Sequence, residues 1–170
     1  ELTELEMKNA KFNAKIIETK DFSNFGKSYV EFVITTNLGE DEKQLNKIAS
    51  GGELSRIMLA IKTVLSDIDE VPVLIFDEID TGVSGSVANK VGDKIKEISN
   101  DSQTIVITHL AQVAAKGDCH YLVSKNDING TTVSNIKIID GDAVVYEIAR
   151  MISGENVTEQ ALSLARELIM

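Results

Sequence analysis

The run Val73-Leu74-Ile75-Phe76, closed by Asp77-Glu78, constrains this chain more than any other stretch. A segment apolar at consecutive positions has no face to give to water, so it reads as a strand covered on both sides, as in a parallel sheet with helices on its faces. Pro72 fits the first position of such a strand, where a missing N–H is tolerated. The strand delivers two carboxylates to the carboxyl edge of its sheet, where ligand sites form in open α/β folds.

The flanking segments have the periods of a βαβ unit. Leu54, Ile57, Met58, Ile61, Val64 and Leu65 share one helical stripe, opened by Ser50 and Glu53 at capping-box spacing. Val87, Val91, Ile95 and Ile98 mark a second helix, and Thr104 to Thr108 a second buried strand parallel to the first. A short helix is expected from Leu110 to Lys116. Upstream, Phe12 to Ile17 and Tyr29 to Thr36 alternate as an antiparallel pair joined through Gly26, with Val30, Phe32 and Ile34 inward, and a polar, acidic loop runs from Asn37 to Gln44. Downstream, Tyr121 to Ser124 and Thr131 to Ile139 read as a hairpin edge around Asn126-Asp127-Ile128-Asn129-Gly130. From Ala143 the tail reads as two helices broken at Ser153-Gly154. The expected class is α/β: a mostly parallel sheet flanked by helices, with an antiparallel strand pair near the N-terminus.

A chain of 170 residues forms one domain by default. No apolar run approaches the roughly 20 residues of a bilayer span, and the opening Glu1-Leu2-Thr3-Glu4 lacks a signal-peptide pattern, so no membrane role is expected. The missing initiator Met suggests a piece of a longer protein. Cys119, the one cysteine, has no thiol partner for a disulfide or a metal, which fits a reducing, cytoplasmic setting. A net charge of -10 opposes gripping nucleic acid through the overall field, so any DNA contact is local or made elsewhere.

Three segments carry chemistry. Asp77 and Glu78 have the order in which nucleotide hydrolases place a Mg²⁺ carboxylate and a water-activating base, although acids after a strand also cap helices. Ala49-Ser50-Gly51-Gly52-Glu53-Leu54-Ser55-Arg56 opens a helix with two side-chain-free residues where backbone amides can meet a phosphate, and is equally an ordinary cap. Ile105-Val106-Ile107-Thr108-His109 brings a histidine to the same sheet edge as Asp77 and Glu78, a placement that is more often structural than catalytic when taken singly. His120, beside Cys119 and Tyr121, reads as packing or surface.

In this order the three segments resemble the ATP-binding-cassette and SMC-like ATPase superfamily. Ser50-Gly51-Gly52-Glu53 looks like its signature, Asp77-Glu78 like the end of Walker B, Asp80 like the D-loop and His109 like the switch histidine. The wording Ser50-Gly51-Gly52-Glu53-Leu54-Ser55-Arg56, Phe76-Asp77-Glu78-Ile79-Asp80-Thr81-Gly82-Val83-Ser84-Gly85 and Thr108-His109-Leu110-Ala111-Gln112-Val113-Ala114 closely resembles the RecN family of bacterial DNA-break-repair ATPases. Thr36-Asn37 with Gly39-Glu40, and Glu147-Ile148-Ala149-Arg150-Met151, add to the likeness. Ala111 departs from an expected proline beside His109.

The resemblance implies the C-terminal lobe of an ATPase head over residues 11–170, with 1–10 as the end of a coiled coil. Asp77 is then the metal residue, Glu78 the catalytic base and His109 the phosphate sensor. Ser50, Gly51, Gly52 and Glu53 face a nucleotide held by a second head, and Arg56 and Asp80 support that interface. ATP and Mg²⁺ are the implied cofactors. The partners are an N-terminal lobe, a second head and, through the full protein, DNA, in a cytoplasmic, nucleoid-associated setting. A non-catalytic dimerisation module and a transporter ATPase fragment are the alternatives.

Gly26-Lys27-Ser28 imitates a Walker A loop, but the glycine that the pattern needs five residues earlier is Asp21, and Lys27-Ser28 leads into a strand instead of a helix. Without that loop there is no cradle for the β- and γ-phosphates, and the chain alone is expected to bind ATP weakly or not at all.

Overall fold

The computed structural model describes residues 1–48, 50–65, 71–77, 79–83, 85–128 and 131–170. Strands β1 (Lys11–Ser23) and β2 (Gly26–Thr35) form a long antiparallel hairpin, with the short β3 (Lys43–Gln44) on the outer side of β2. Helix α1 (Gly51–Leu65), strand β4 (Val73–Asp77), helix α2 (Ser86–Ile98) and strand β5 (Gln103–Ile107) follow. A four-residue α3 (Ala111–Ala114) leads to the hairpin of β6 (His120–Ile128) and β7 (Thr131–Ile139), and α4 (Asp142–Ser153) and α5 (Glu159–Ile169) close the chain.

Among the described residues β4 and β5 are the parallel pair, while β1-β2-β3 and β6-β7 are antiparallel. The expectation of a mostly parallel sheet is thereby corrected to a mixed set of sheets. Only β4 and β5 are joined by a helical crossover, and strands joined through tight turns must run antiparallel.

Helices α1 and α2 cover one face of β4–β5. Phe76 is buried with Leu59, Ala60, Ile79, Ala88, Val91, Ile95 and Ile98, and Leu74 and Val106 pack against the cluster. The opposite face is uncovered: Val73 is 42%, Ile75 66%, Ile105 45% and Ile107 57% exposed. A strand buried on both sides was expected, and among the described residues one layer is present. Val30 and Phe32 of β2 were likewise expected inward and are about half exposed, whereas Ile34 is buried against Ile57. The stripe of α1 is split in the same way, Ile57 buried and Val64 exposed.

Residues 1–10 pass through turns, and the segment is tied into the body. Leu5 is 1% exposed within the α1–α2–β4 core, and Lys94 of α2 holds Glu1 at 2.9 Å, Glu4 at 3.6 Å and its own helix neighbour Glu97 at 3.3 Å. These carboxylates hold the Lys94 ammonium well above the usual lysine range. Leu5→Ala should cost about 2–5 kcal/mol, the range for emptying a buried leucine site, as read by urea unfolding. A loss below about 1 kcal/mol would show that the segment is not part of the core.

Two local features position the rest. The Asn37-to-Gln44 loop is organised by Glu40, whose carboxylate accepts from Thr36 Oγ1 at 3.1 Å and Asn37 Nδ2 at 3.0 Å and pairs with Lys43. At the α2–α3 crossing a Cβ added to Gly92 would sit 3.2 Å from the Gln112 carbonyl oxygen and 3.2 Å from Lys116 Cγ, so the two helices meet at a contact that only glycine allows without displacement. The break expected at Ser153-Gly154 is present, Gly154 closing α4 at φ 78°, and α5 starts on Thr158, whose Oγ1 accepts from Ala161 N at 3.2 Å.

Candidate functional site

The parallel register pairs Asp77 with Ile107, so the residues after β4 and after β5 leave the sheet side by side. From one strand come Asp77 and then Asp80; from the other come Thr108 and His109. Glu78 and Ser84 lie outside the described residues, as does Ala49 ahead of α1.

Asp80 is the organising group. Its side chain is 2% exposed, and Oδ2 accepts from Thr108 Oγ1 at 2.5 Å and from the His109 backbone N–H at 2.9 Å. His109 Nδ1 stands 3.1 Å from the same oxygen. A buried carboxylate is costly unless hydrogen-bonded, and here the donors are present. Thr108 Oγ1 in turn accepts from Leu110 N at 3.0 Å, so the turn between β5 and α3 is closed around one carboxylate. The His109 ring is 72% exposed. With Nδ1 directed at a carboxylate, a neutral ring carries its proton there and offers Nε2 as an acceptor outward.

Asp77 is exposed at the end of β4, and among the described residues its carboxylate has no hydrogen-bond or ion-pair partner. Its backbone oxygen accepts from Ser55 Oγ at 3.1 Å, and the Thr81 carbonyl accepts from Arg56 Nη1 at 2.9 Å. The first turns of α1 are thus fastened to the segment that follows β4. Arg56 was expected at a partner interface, and here its guanidinium is half-buried against Thr81; burial pushes its pKa below the usual arginine value, opposed by the nearby Glu53.

At the head of α1, Gly51 is exposed and Gly52 buried, with Ser50 and Glu53 half-buried. Glu53 N donates to Ser50 Oγ over a long 3.4 Å, and Leu54 N donates to Ser50 O at 3.1 Å. The structure brings Asp77, Asp80 and His109 to one edge. Among the described residues no hydrogen bond or ion pair links them to Ser50, Gly51, Gly52 or Glu53.

Sequence reasoning missed Thr108, Ser55 and Thr81. Thr108 had a usable signal, a hydroxyl directly before a strand-end histidine. Ser55 and Thr81 had none, because a hydroxyl on a helix and a carbonyl in a turn declare their partners only in three dimensions. His120 packs as expected, its Nε2 2.8 Å from the Ala114 carbonyl oxygen.

No family model matches the chain. Among curated proteins it is 44% identical to the DNA repair protein RecN of Rickettsia bellii over 169 residues and 45% identical to RecN of Halalkalibacterium halodurans over 173. Each match covers 99% of this chain and 31% of the relative. The RecN of Bacillus subtilis is 48% identical over 144 residues, 85% of this chain and 25% of that protein. The chain thus spans about a third of the length of the curated relatives it matches. Among solved structures, the Smc head domain with a coiled coil and joint from Pyrococcus yayanosii superposes with a TM-score of 0.53 at 24% identity, over 92% of this chain and 26% of that one. The SmcHead bound to the C-winged helix domain of ScpA gives 0.51 at 23%, over 82% and 40%. These two likenesses show the fold, an SMC-type ATPase head.

Proposed function

We propose, from the premise that this chain is a RecN-type sequence matching those DNA repair proteins along 99% of its length, that it is the C-terminal half of an ATP-hydrolysing head in DNA-break repair. The observation that carries the reading is the shared edge of β4 and β5, where Asp77, its carboxylate unpartnered among the described residues, and a histidine oriented by Asp80 emerge together. The uncovered row of Val73, Ile75, Ile105 and Ile107 supports it as well, because an apolar face of that kind calls for a second layer. The N-terminal lobe is that layer in this reading.

Asp77 fits a Mg²⁺ site: a hard oxygen donor at a strand end, with no competing partner among the described residues, is what a metal bound mainly by phosphate and water requires. Bound Mg²⁺ would supply charge neutralisation for the phosphates of ATP. Glu78 follows as the base that takes a proton from water. His109 Nε2, held outward by the Asp80 carboxylate, meets the γ-phosphate side, and Asp80 positions the histidine from beneath. Ser50, Gly51, Gly52 and Glu53, which make no hydrogen bond or ion pair to Asp77, Asp80 or His109 among the described residues, face the nucleotide held by a second head, with Arg56 fixing their helix to Thr81. DNA is engaged by the intact protein. No described helix is long and apolar enough to cross a membrane, in keeping with a cytoplasmic, nucleoid-associated role.

The test is ATP binding and hydrolysis by this chain alone and after mixing with a separately produced N-terminal lobe. Activity in the mixture alone, with self-association of the unmixed chain reduced at the same time, is the expected result. Hydrolysis by the chain alone would overturn the split-site reading.

A further inference from the structure

The β1–β2 hairpin ends in a feature that the ATPase reading does not use. Phe22 is 82% and Phe25 96% exposed at its tip, between Lys20 and Lys27, both exposed. Neither lysine has an ion pair among the described residues. The tip is ordered by its own polar groups: Ser23 Oγ donates to Gly26 O at 2.9 Å and accepts from Phe25 N at 3.1 Å, while Thr19 Oγ1 lies 2.7 Å from Asp21 O and 3.1 Å from Lys27 O. Gly26, at φ 108°, makes the turn. Two large apolar rings are therefore held out in water by a braced turn.

The tip also differs from the whole chain in charge. On a chain of net charge -10, the segment from Thr19 to Ser28 holds two lysines against the single acid Asp21. Rings that offer flat apolar faces, with lysine cations beside them, match single-stranded nucleic acid, whose bases have free faces and whose backbone is anionic. A protein partner fits less well, since the cores of protein interfaces are depleted of lysine. Paired bases in an intact duplex have no free faces to stack upon.

The geometry points to the β1–β2 tip as a contact for single-stranded DNA, Phe22 and Phe25 stacking on bases while Lys20 and Lys27 meet phosphates. This inference rests on the DNA-repair reading and adds to it where one class of substrate is held. It also locates a DNA contact on a molecule whose overall field repels DNA.

The test uses the intact protein and a fluorescent oligothymidine, with binding read by anisotropy over a series of salt concentrations. Phe22→Ala with Phe25→Ala should weaken binding by about 100-fold at fixed salt, roughly tenfold per ring, and leave the salt slope unchanged. Lys20→Gln with Lys27→Gln should reduce that slope by about 1.4, roughly 0.7 for each phosphate no longer neutralised. Phe22→Trp with Phe25→Trp should retain affinity. Parent-like binding by the alanine variant overturns the assignment alone, and so does a selective loss of its affinity for the separately produced N-terminal lobe, which would make the tip a lobe contact. A parent that binds no DNA overturns the repair reading and the tip assignment together.

Discussion

Asp80→Ala in the intact protein is expected to lose about 3 kcal/mol of stability and on the order of 100-fold in ATP hydrolysis, although Asp80 itself is buried and touches no nucleotide in the proposed arrangement. The carboxylate serves Thr108 Oγ1, His109 N and His109 Nδ1 through one oxygen. Deleting it leaves the first two donors without their acceptor in a part-buried turn and frees the imidazole, and hydrogen bonds to a charged acceptor are worth about 1.5–3 kcal/mol each. The stability loss is read by urea unfolding and the catalytic loss by steady-state turnover. A double variant separates the two. If Asp80 acts through His109, then Asp80→Asn on a His109→Ala background lowers turnover no further, because residues acting as one unit are non-additive. Additive losses would remove Asp80 from its role as a positioning residue.

Glu78→Gln is expected to have the largest effect on turnover, lowering it by 100-fold or more, the scale of removing a general base, while ATP binding and head–head association persist. Glutamine keeps the size and polarity of the side chain and removes its ability to take a proton. Persistent dimerisation follows from the same chemistry: if the γ-phosphate holds two heads together, a protein that cannot cleave it stays closed. Trapped dimers in ATP, seen by sedimentation, together with a flat hydrolysis trace, are the expected pair of results. Undiminished hydrolysis would take the base assignment away from Glu78.

The parts of this molecule that could be read in advance were those governed by local periodicity. Val87, Val91, Ile95 and Ile98 placed α2, and Thr104 to Thr108 placed β5 within one residue, because a 3.6-residue stripe and a short apolar run are properties of the segment itself. Strand lengths in the first hairpin were underread. β1 extends to Ser23 through polar and charged residues such as Glu18, Lys20 and Asp21, and a register irregularity between Glu18 and Ser23 breaks the alternation that would have revealed it.

What depended on the rest of the structure was less accessible. Ile75 and Ile107 looked like core, yet burial on both faces requires two layers, and a strand sequence reports its demand for cover without reporting whether the cover is there. The site followed the same division. Asp77, Glu78 and His109 were legible as a group because each stands at the end of a recognisable strand, whereas Asp80 was singled out only through the family resemblance. That Asp80 turns inward, toward Thr108 and His109, was not, since side-chain direction after a strand end is set by what lies beneath it. Arg56 shows the same limit: the bond from its guanidinium to the Thr81 carbonyl of its own chain is not announced by its place in a signature-like segment.

Gly92 gives His109 a dependence that its immediate partners do not reveal. The segment carrying His109 runs directly into α3, and α3 lies against α2 at a point where an added methyl group would be tight. Position 92 has no proton to give and no ligand to hold, yet a Cβ there would press on the Gln112 carbonyl of α3, three residues beyond His109. In any set of homologues, a glycine kept at this position would be the record of a distance. Its loss would be felt first at the α2–α3 contact, close along the chain to His109.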